Sequence, residues 1–140
     1  MKTLCIKSID THTSLEIRPH DCSEGYSTCE LEASFSSGGN HYCLRNTDIH
    51  FFDISEFANS LDEFILNRRI KPILNGTYGT FIEFFGTGNQ IWIKLNIGLT
   101  NTVDNRFTHD NNIKATFQLN GDVINEINLF FSSLEKRCSS

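Results

Sequence analysis

The sequence predicts an α+β fold: mainly antiparallel β-sheet of about eight strands, as one curved sheet or a sandwich, with two helices near 54–68 and 121–136. Three observations carry this. Apolar and polar residues alternate strictly in several short runs, the period of a half-buried strand. Two other runs repeat their apolar residues every three to four positions, the period of a helix face. Glycine- and asparagine-rich turns separate neighbouring strands, as hairpins require.

The first strands are short, with Leu4 and Ile6 in one and Leu15 and Ile17 in the next, joined through Ile9-Asp10-Thr11. Cys29, Leu31, Ala33 and Phe35 then alternate with Glu30, Glu32 and Ser34. After the turn Ser36-Ser37-Gly38-Gly39-Asn40, Tyr42 and Leu44 alternate with His41, Cys43 and Arg45, completing a hairpin. Ile49 to Phe52 reads as a fifth strand.

The clearest helix follows. Ile54, Phe57, Ala58, Leu61, Phe64 and Ile65 form one apolar stripe, and each such side chain contributes about 1.5–3 kcal/mol when fully buried. Asp53 with Glu56 is the pattern of a capping box, and Phe52 with Phe57 that of a hydrophobic staple. Arg68, Arg69 and Lys71 stand where the helix dipole favours cations, and Pro72 closes the segment. Asn75-Gly76 reads as a tight turn, better than as the glycosylation sequon it makes with Thr77. Three strands come next: Tyr78 to Phe85, a run in which Ile91, Ile93, Leu95 and Ile97 alternate with Trp92, Lys94 and Asn96, and another with Ile113, Ala115, Phe117 and Leu119 pointing one way. The polar stretch from Thr100 to Asn112 interrupts that pattern. Asn120-Gly121-Asp122 opens the second helix, with the stripe Val123, Ile124, Ile127, Phe130, Phe131 and Leu134, and a tail from Arg137 expected to fray.

The chain of 140 residues fits one domain, 1–140, and at 39% hydrophobic and 21% charged it can bury a core without disulfides or metal. No apolar run approaches a membrane span, and the start has too few apolar residues for a signal peptide. A net charge of −5 argues against direct nucleic-acid binding and suits a basic partner. Five cysteines without a CxxC pair read as reduced thiols, with Cys29 and Cys43 as small buried hydrophobes. No metal or other cofactor is expected, because His20, Cys22 and Cys29 lack a second ligand pair.

Catalysis finds little support. Cys22, His20 and Asp21, or His109 and Asp110, adjoin along the chain, where successive side chains diverge. Gly86-Thr87-Gly88 lies between strands with no helix after it to bind phosphate. The acids are more informative. Residues 1–50 hold seven acids against four bases, with Glu30 and Glu32 on one strand face and Asp21 and Glu24 in the loop before it. These four read either as a solvated sheet face or as an acidic docking surface. Asp104 and Asp110 in the polar stretch form a second candidate patch, and Trp92 is a candidate aromatic anchor.

From about Ile49 onward, the order Phe52-Asp53-Ile54-Ser55-Glu56-Phe57, the glycines at Gly76 and Gly79, the pair Phe81–Phe85 and Gln90–Ile97, and Ile113–Phe117 running into Asn120-Gly121-Asp122-Val123-Ile124 resemble the WapI-type bacterial immunity proteins. The resemblance implies a cytoplasmic, non-enzymatic protein that binds one cognate polymorphic toxin, often a nuclease delivered by a neighbouring cell in contact-dependent growth inhibition. It carries over no catalytic residue. A β-rich ligand- or carbohydrate-binding module is the alternative, although Tyr26, Tyr42, Tyr78 and Trp92 are dispersed along the chain.

Overall fold

A computed structural model describes residues 2–99, 102–104, 107–109 and 112–139. Its elements are β1 (Leu4–Lys7), β2 (Thr13–Ser23), β3 (Tyr26–Ser37), β4 (Asn40–Phe51), α1 (Ile54–Leu66), β5 (Ile73–Asn75), a 3-10 turn (Thr77–Gly79), β6 (Phe81–Thr87), β7 (Gln90–Gly98), β8 (Thr102–Asp104), β9 (Phe107–His109), β10 (Asn112–Leu119) and α2 (Val123–Cys138). The fold is α+β, with two four-stranded antiparallel sheets ordered β1-β2-β3-β4 and β10-β7-β6-β5, and two helices. The polar stretch, read as an interruption, carries the small antiparallel ladder of β8 and β9.

A bulge in β4 explains where the strand count differs from expectation. Between Cys29 and Leu31 on β3 the partners on β4 move from Ile49 to Asn46, so β4 carries one extra residue. The inward parity of β4 therefore changes, from Leu44 and Asn46 to Ile49 and Phe51, and the two apolar runs belong to one strand. Four strands, not five, precede α1. The same device lies in β2, where His20 is the extra residue between Pro19 and Asp21. The short β5 was not expected, and Tyr78 sits in the 3-10 turn rather than in β6.

The sheets meet at both margins. Phe51 bridges to Gly76, and the Phe52 amide donates to the Asn75 carbonyl at 2.9 Å. At the far margin the Ile9 amide donates to the Gln118 carbonyl at 2.9 Å. Gly76 is thus extended backbone at this crossing instead of a tight turn, and a Cβ there would lie 3.0 Å from the His50 carbonyl oxygen. The turn after it rests on β7, where a Cβ on Gly98 would come within 1.8 Å of the Tyr78 carbonyl oxygen.

One buried cluster draws on the inner faces of both sheets and on both helices. Phe57 of α1 meets Phe131 of α2 edge to face at 4.8 Å between centroids, and lies 6.3 Å from Phe84 of β6. The α1 stripe is buried as read, except that Ile65 is half-buried. Its ends differ from expectation. Asp53 takes the left-handed conformation (φ 55°) and makes no side-chain cap, so the box does not form as read, and Phe52, the outer half of the expected staple, is exposed. The helix stops at Leu66, six residues before Pro72, with no base in its last turn. Arg68 instead reaches back to the Phe64 carbonyl and lies 4.9 Å over the Phe64 ring. The expected frayed tail is helical through Cys138, whose side chain is buried, because its position continues the α2 stripe by one turn from Leu134.

Candidate functional site

Sheet pairing places the acidic residues of β2 and β3 on the outer face beside two arginines. Glu16 faces Glu32, Arg18 faces Glu30, and Glu32 faces Arg45. Arg18 donates to Glu30 at 2.6 Å and to Glu32 at 3.0 Å, and also pairs with Glu16. Arg45 closes the network on Glu30 at 2.7 Å. Three carboxylates and two guanidiniums nearly neutralise each other, and the Glu30 side chain is only 8% exposed. Hydrogen bonds from Arg18 and Arg45 hold the Glu30 carboxyl below its ordinary range. Those from the Cys43 thiol and Arg18 do the same for Glu32. Cys43 is therefore exposed, contrary to the buried reading, because it lies on this outer face and donates to Glu32 at 3.1 Å. Glu30 and Glu32 are structural partners more than free docking acids.

Asp21 and Glu24 are placed differently. Ser23 pairs with Tyr26 across a two-residue turn, in which Glu24 (φ 41°) and Gly25 (φ 89°) both adopt the left-handed region of a type I′ hairpin. Both helices hold this tip. The Gly25 amide donates to the Cys138 carbonyl at 3.0 Å, and the Gly25 carbonyl accepts from the Ile54 amide at 3.4 Å. The tip therefore stands beside Asp53 at the start of α1. Asp21, Glu24, Asp53 and Glu56 are all exposed, and among the described residues none has an ion-pair partner.

Aromatic surface accompanies these charges. Tyr26 is 41% and Phe52 44% exposed. The Tyr26 ring lies 6.2 Å from the His50 imidazole. Next to the tip, between the start of α1 and β5, a cavity of about 250 Å³ is lined by Phe52, Asp53, Glu56, Phe57, Lys71 and Ile73, among others.

The outer face of β3 and β4 also brings together a hydroxyl, an imidazole and a carboxylate that sequence spacing did not suggest. Thr28 Oγ1 is 3.4 Å from His50 Nδ1, and His50 Nε2 is 3.1 Å from Asp48 Oδ1. With His50 39% and Asp48 61% exposed, water screens the pair, and the long Thr28 contact gives the hydroxyl little activation. The arrangement works as a cross-strand polar ladder. The adjacent groups His20, Asp21 and Cys22 are separated by the β2 bulge; Cys22 turns inward, with its thiol 3.8 Å from Ser27 Oγ. Among the described residues, no group of three or more His, Cys, Asp or Glu side chains is arranged to hold a metal ion.

Trp92 lies on the outer face of the other sheet, remote from the acids in pairing order. It is half-buried and stacks on Phe85 at 6.4 Å between centroids. Tyr26–His50 and Phe35–Tyr42 lie at opposite ends of the β3–β4 pair, and Phe85–Trp92 lies on β6–β7, so the three ring pairs build no common platform. Asp104 falls in β8, where the side chains lie outside the described residues, as does Asp110 entirely. Among the described residues, no helix is long and apolar enough to cross a membrane. No family model, curated protein or solved structure matches the chain.

Sequence reading singled out Asp21 and Glu24 as docking acids, and the structure sets Tyr26, Phe52, Asp53 and Glu56 close to them, at the hairpin tip and the start of α1. The capping pattern assigned the Asp53 carboxylate to the amides of the first helical turn, and the left-handed conformation at Asp53 leaves it without that bond.

Proposed function

We propose that the protein is an immunity protein, which binds a cognate bacterial toxin with a basic surface, of the nuclease type, and neutralises it by covering its active site. One observation carries this reading: four acids without cationic partners, Asp21, Glu24, Asp53 and Glu56, stand with exposed Tyr26 and Phe52 at the hairpin tip and the start of α1, while Glu16, Glu30 and Glu32 of the sheet face are paired with Arg18 and Arg45. A nuclease must attract phosphates, so the rim of its cleft is basic, and an acidic inhibitor gains both steered association and competition with nucleic acid. Exposed aromatics beside the charges supply the apolar contact that charge alone does not. In this reading the protein is non-catalytic, acts in the cytoplasm, and needs no cofactor.

The test is co-expression with the product of the gene immediately upstream, assayed for toxicity, together with capture of that product by purified protein. Protection and a one-to-one complex are expected. Absence of both, with folded protein and an active toxin, would overturn the proposal.

A further inference from the structure

We infer that the cavity between the start of α1 and β5 is the socket for an arginine side chain presented by a basic protein partner. The inference rests on reading the protein as a binder of such a partner and names the contact within it. The cavity, at about 250 Å³, is of the order of one long side chain. Its walls carry both of the features an arginine uses. Phe52, exposed at 44%, and Ile73, exposed at 43%, offer apolar surface for the methylene stem and for stacking of the planar guanidinium. Asp53 and Glu56 offer two carboxylates, which a guanidinium can engage through several donors at once.

Those carboxylates are not already committed. Asp53 makes no capping bond to α1, and neither acid has an ion-pair partner among the described residues. Lys71 also lines the cavity, so its local balance is two acids to one base, with Glu24 on the adjoining hairpin tip adding to the negative side. An incoming cation is therefore favoured over an anion. Arginine is also a residue type enriched at the energetic centres of protein interfaces, in pockets that exclude water around it.

The experiment has two arms. In the first, amide resonances of the full chain are followed by nuclear magnetic resonance during titration with N-acetylarginine amide, and with the uncharged isostere N-acetylcitrulline amide. Saturable shifts confined to residues 52–60 and 71–75 are expected with the arginine probe, at least about tenfold weaker with citrulline. They should be lost in the Asp53→Asn, Glu56→Gln double variant, which is chosen to fold because asparagine readily adopts the left-handed region. Shifts that are absent, diffuse, or equal for both probes overturn the socket. In the second arm, binding of the product of the gene immediately upstream is measured for wild type, the double variant and Phe52→Ala. At least about tenfold weaker binding is expected for the double variant. Toxin binding unchanged by all these substitutions overturns the socket as the contact and leaves the immunity reading standing. Local arginine-probe shifts with no capture of toxin by wild type would retain the socket and overturn the immunity reading instead.

Discussion

The amide of Gly25 donates to the carbonyl of Cys138 at 3.0 Å, so the tip of the β2–β3 hairpin rests on the last turn of α2. The opposite side of the same residue accepts from Ile54, at the start of α1. A hairpin tip held from both sides presents Glu24 and Tyr26 on a fixed frame, which lowers the ordering cost of binding. Removing residues 136–140 should therefore release the tip. The expected result is a loss of about 1–3 kcal/mol in denaturant unfolding, from the buried Cys138 side chain and the lost hydrogen bond, with faster hydrogen exchange at Gly25. An unchanged exchange rate would show that α2 does not support the hairpin.

The core prediction concerns Phe57, which is 2% exposed and meets Phe131 edge to face. Phe57→Ala should cost about 3–5 kcal/mol, through the lost burial and the cavity left between the two helices and β6. Leu66→Ala, at a position 91% exposed in the same helix, should change stability by less than about 0.5 kcal/mol. Equal losses would contradict the burial pattern.

Acid stability should depend on the outer-face network. Arginine hydrogen bonds hold the Glu30 carboxyl, and thiol and arginine hydrogen bonds the Glu32 carboxyl, below the ordinary range in the folded state. Each depressed carboxyl contributes stability that is present above its unfolded value and is lost as pH falls through the folded value. Unfolding free energy should therefore be nearly flat around neutrality and decline below about pH 5. Glu30→Gln should cost about 1–3 kcal/mol at neutral pH and give a shallower acid decline. An identical pH profile for the variant would remove Glu30 from the network.

The thiols should separate by exposure. Cys5 and Cys43 are exposed, Cys22 is half-buried, and Cys29 and Cys138 are buried. Desolvation pushes Cys29 up to about 11 and Cys138 up to about 12, and Glu32 beside Cys43 raises that thiol too. Alkylation of native protein should modify Cys5 and Cys43 first, with rates that climb between pH 7 and 9, roughly as thiolate forms. Cys29 and Cys138 should react only on unfolding. Rapid native modification of Cys138 would contradict the packing of α2 against the hairpin.

Surface charge should separate the two groups of acids that the sequence treats alike. Asp21→Lys with Glu24→Lys should slow association with the proposed basic partner, with a defect that shrinks as salt rises and with stability nearly unchanged. Glu30→Lys with Glu32→Lys should instead lower stability, because it sets two cations against Arg18 and Arg45. Trp92→Ala should leave binding intact. A binding defect confined to the Trp92 variant would move the interface to the other sheet.

The particular elements show why some of this architecture was legible and some was not. Alternation in Leu4–Ile6, Leu15–Ile17, Cys29–Phe35 and Ile91–Ile97 reports burial of one strand face, a local property that survives in one dimension. The stripes of α1 and α2 are legible for the same reason. The bulges were not, since one extra residue in β4 reverses inward parity and makes one strand look like two. The capping box failed because Asp53 entered a left-handed turn set by Phe51 and Phe52 crossing to Gly76 and Asn75.

By itself the sequence determined the α+β class, the two apolar helix faces, most of the buried residues and the acidity of the chain, because period and composition act over a few neighbouring residues. Tertiary structure decided which acids are free. Glu30 and Glu32 lost that status to Arg18, 12 and 14 positions away in sequence, and Asp53 gained it when the chain turned. Ion pairing across strands depends on register, and register is a property of two segments at once.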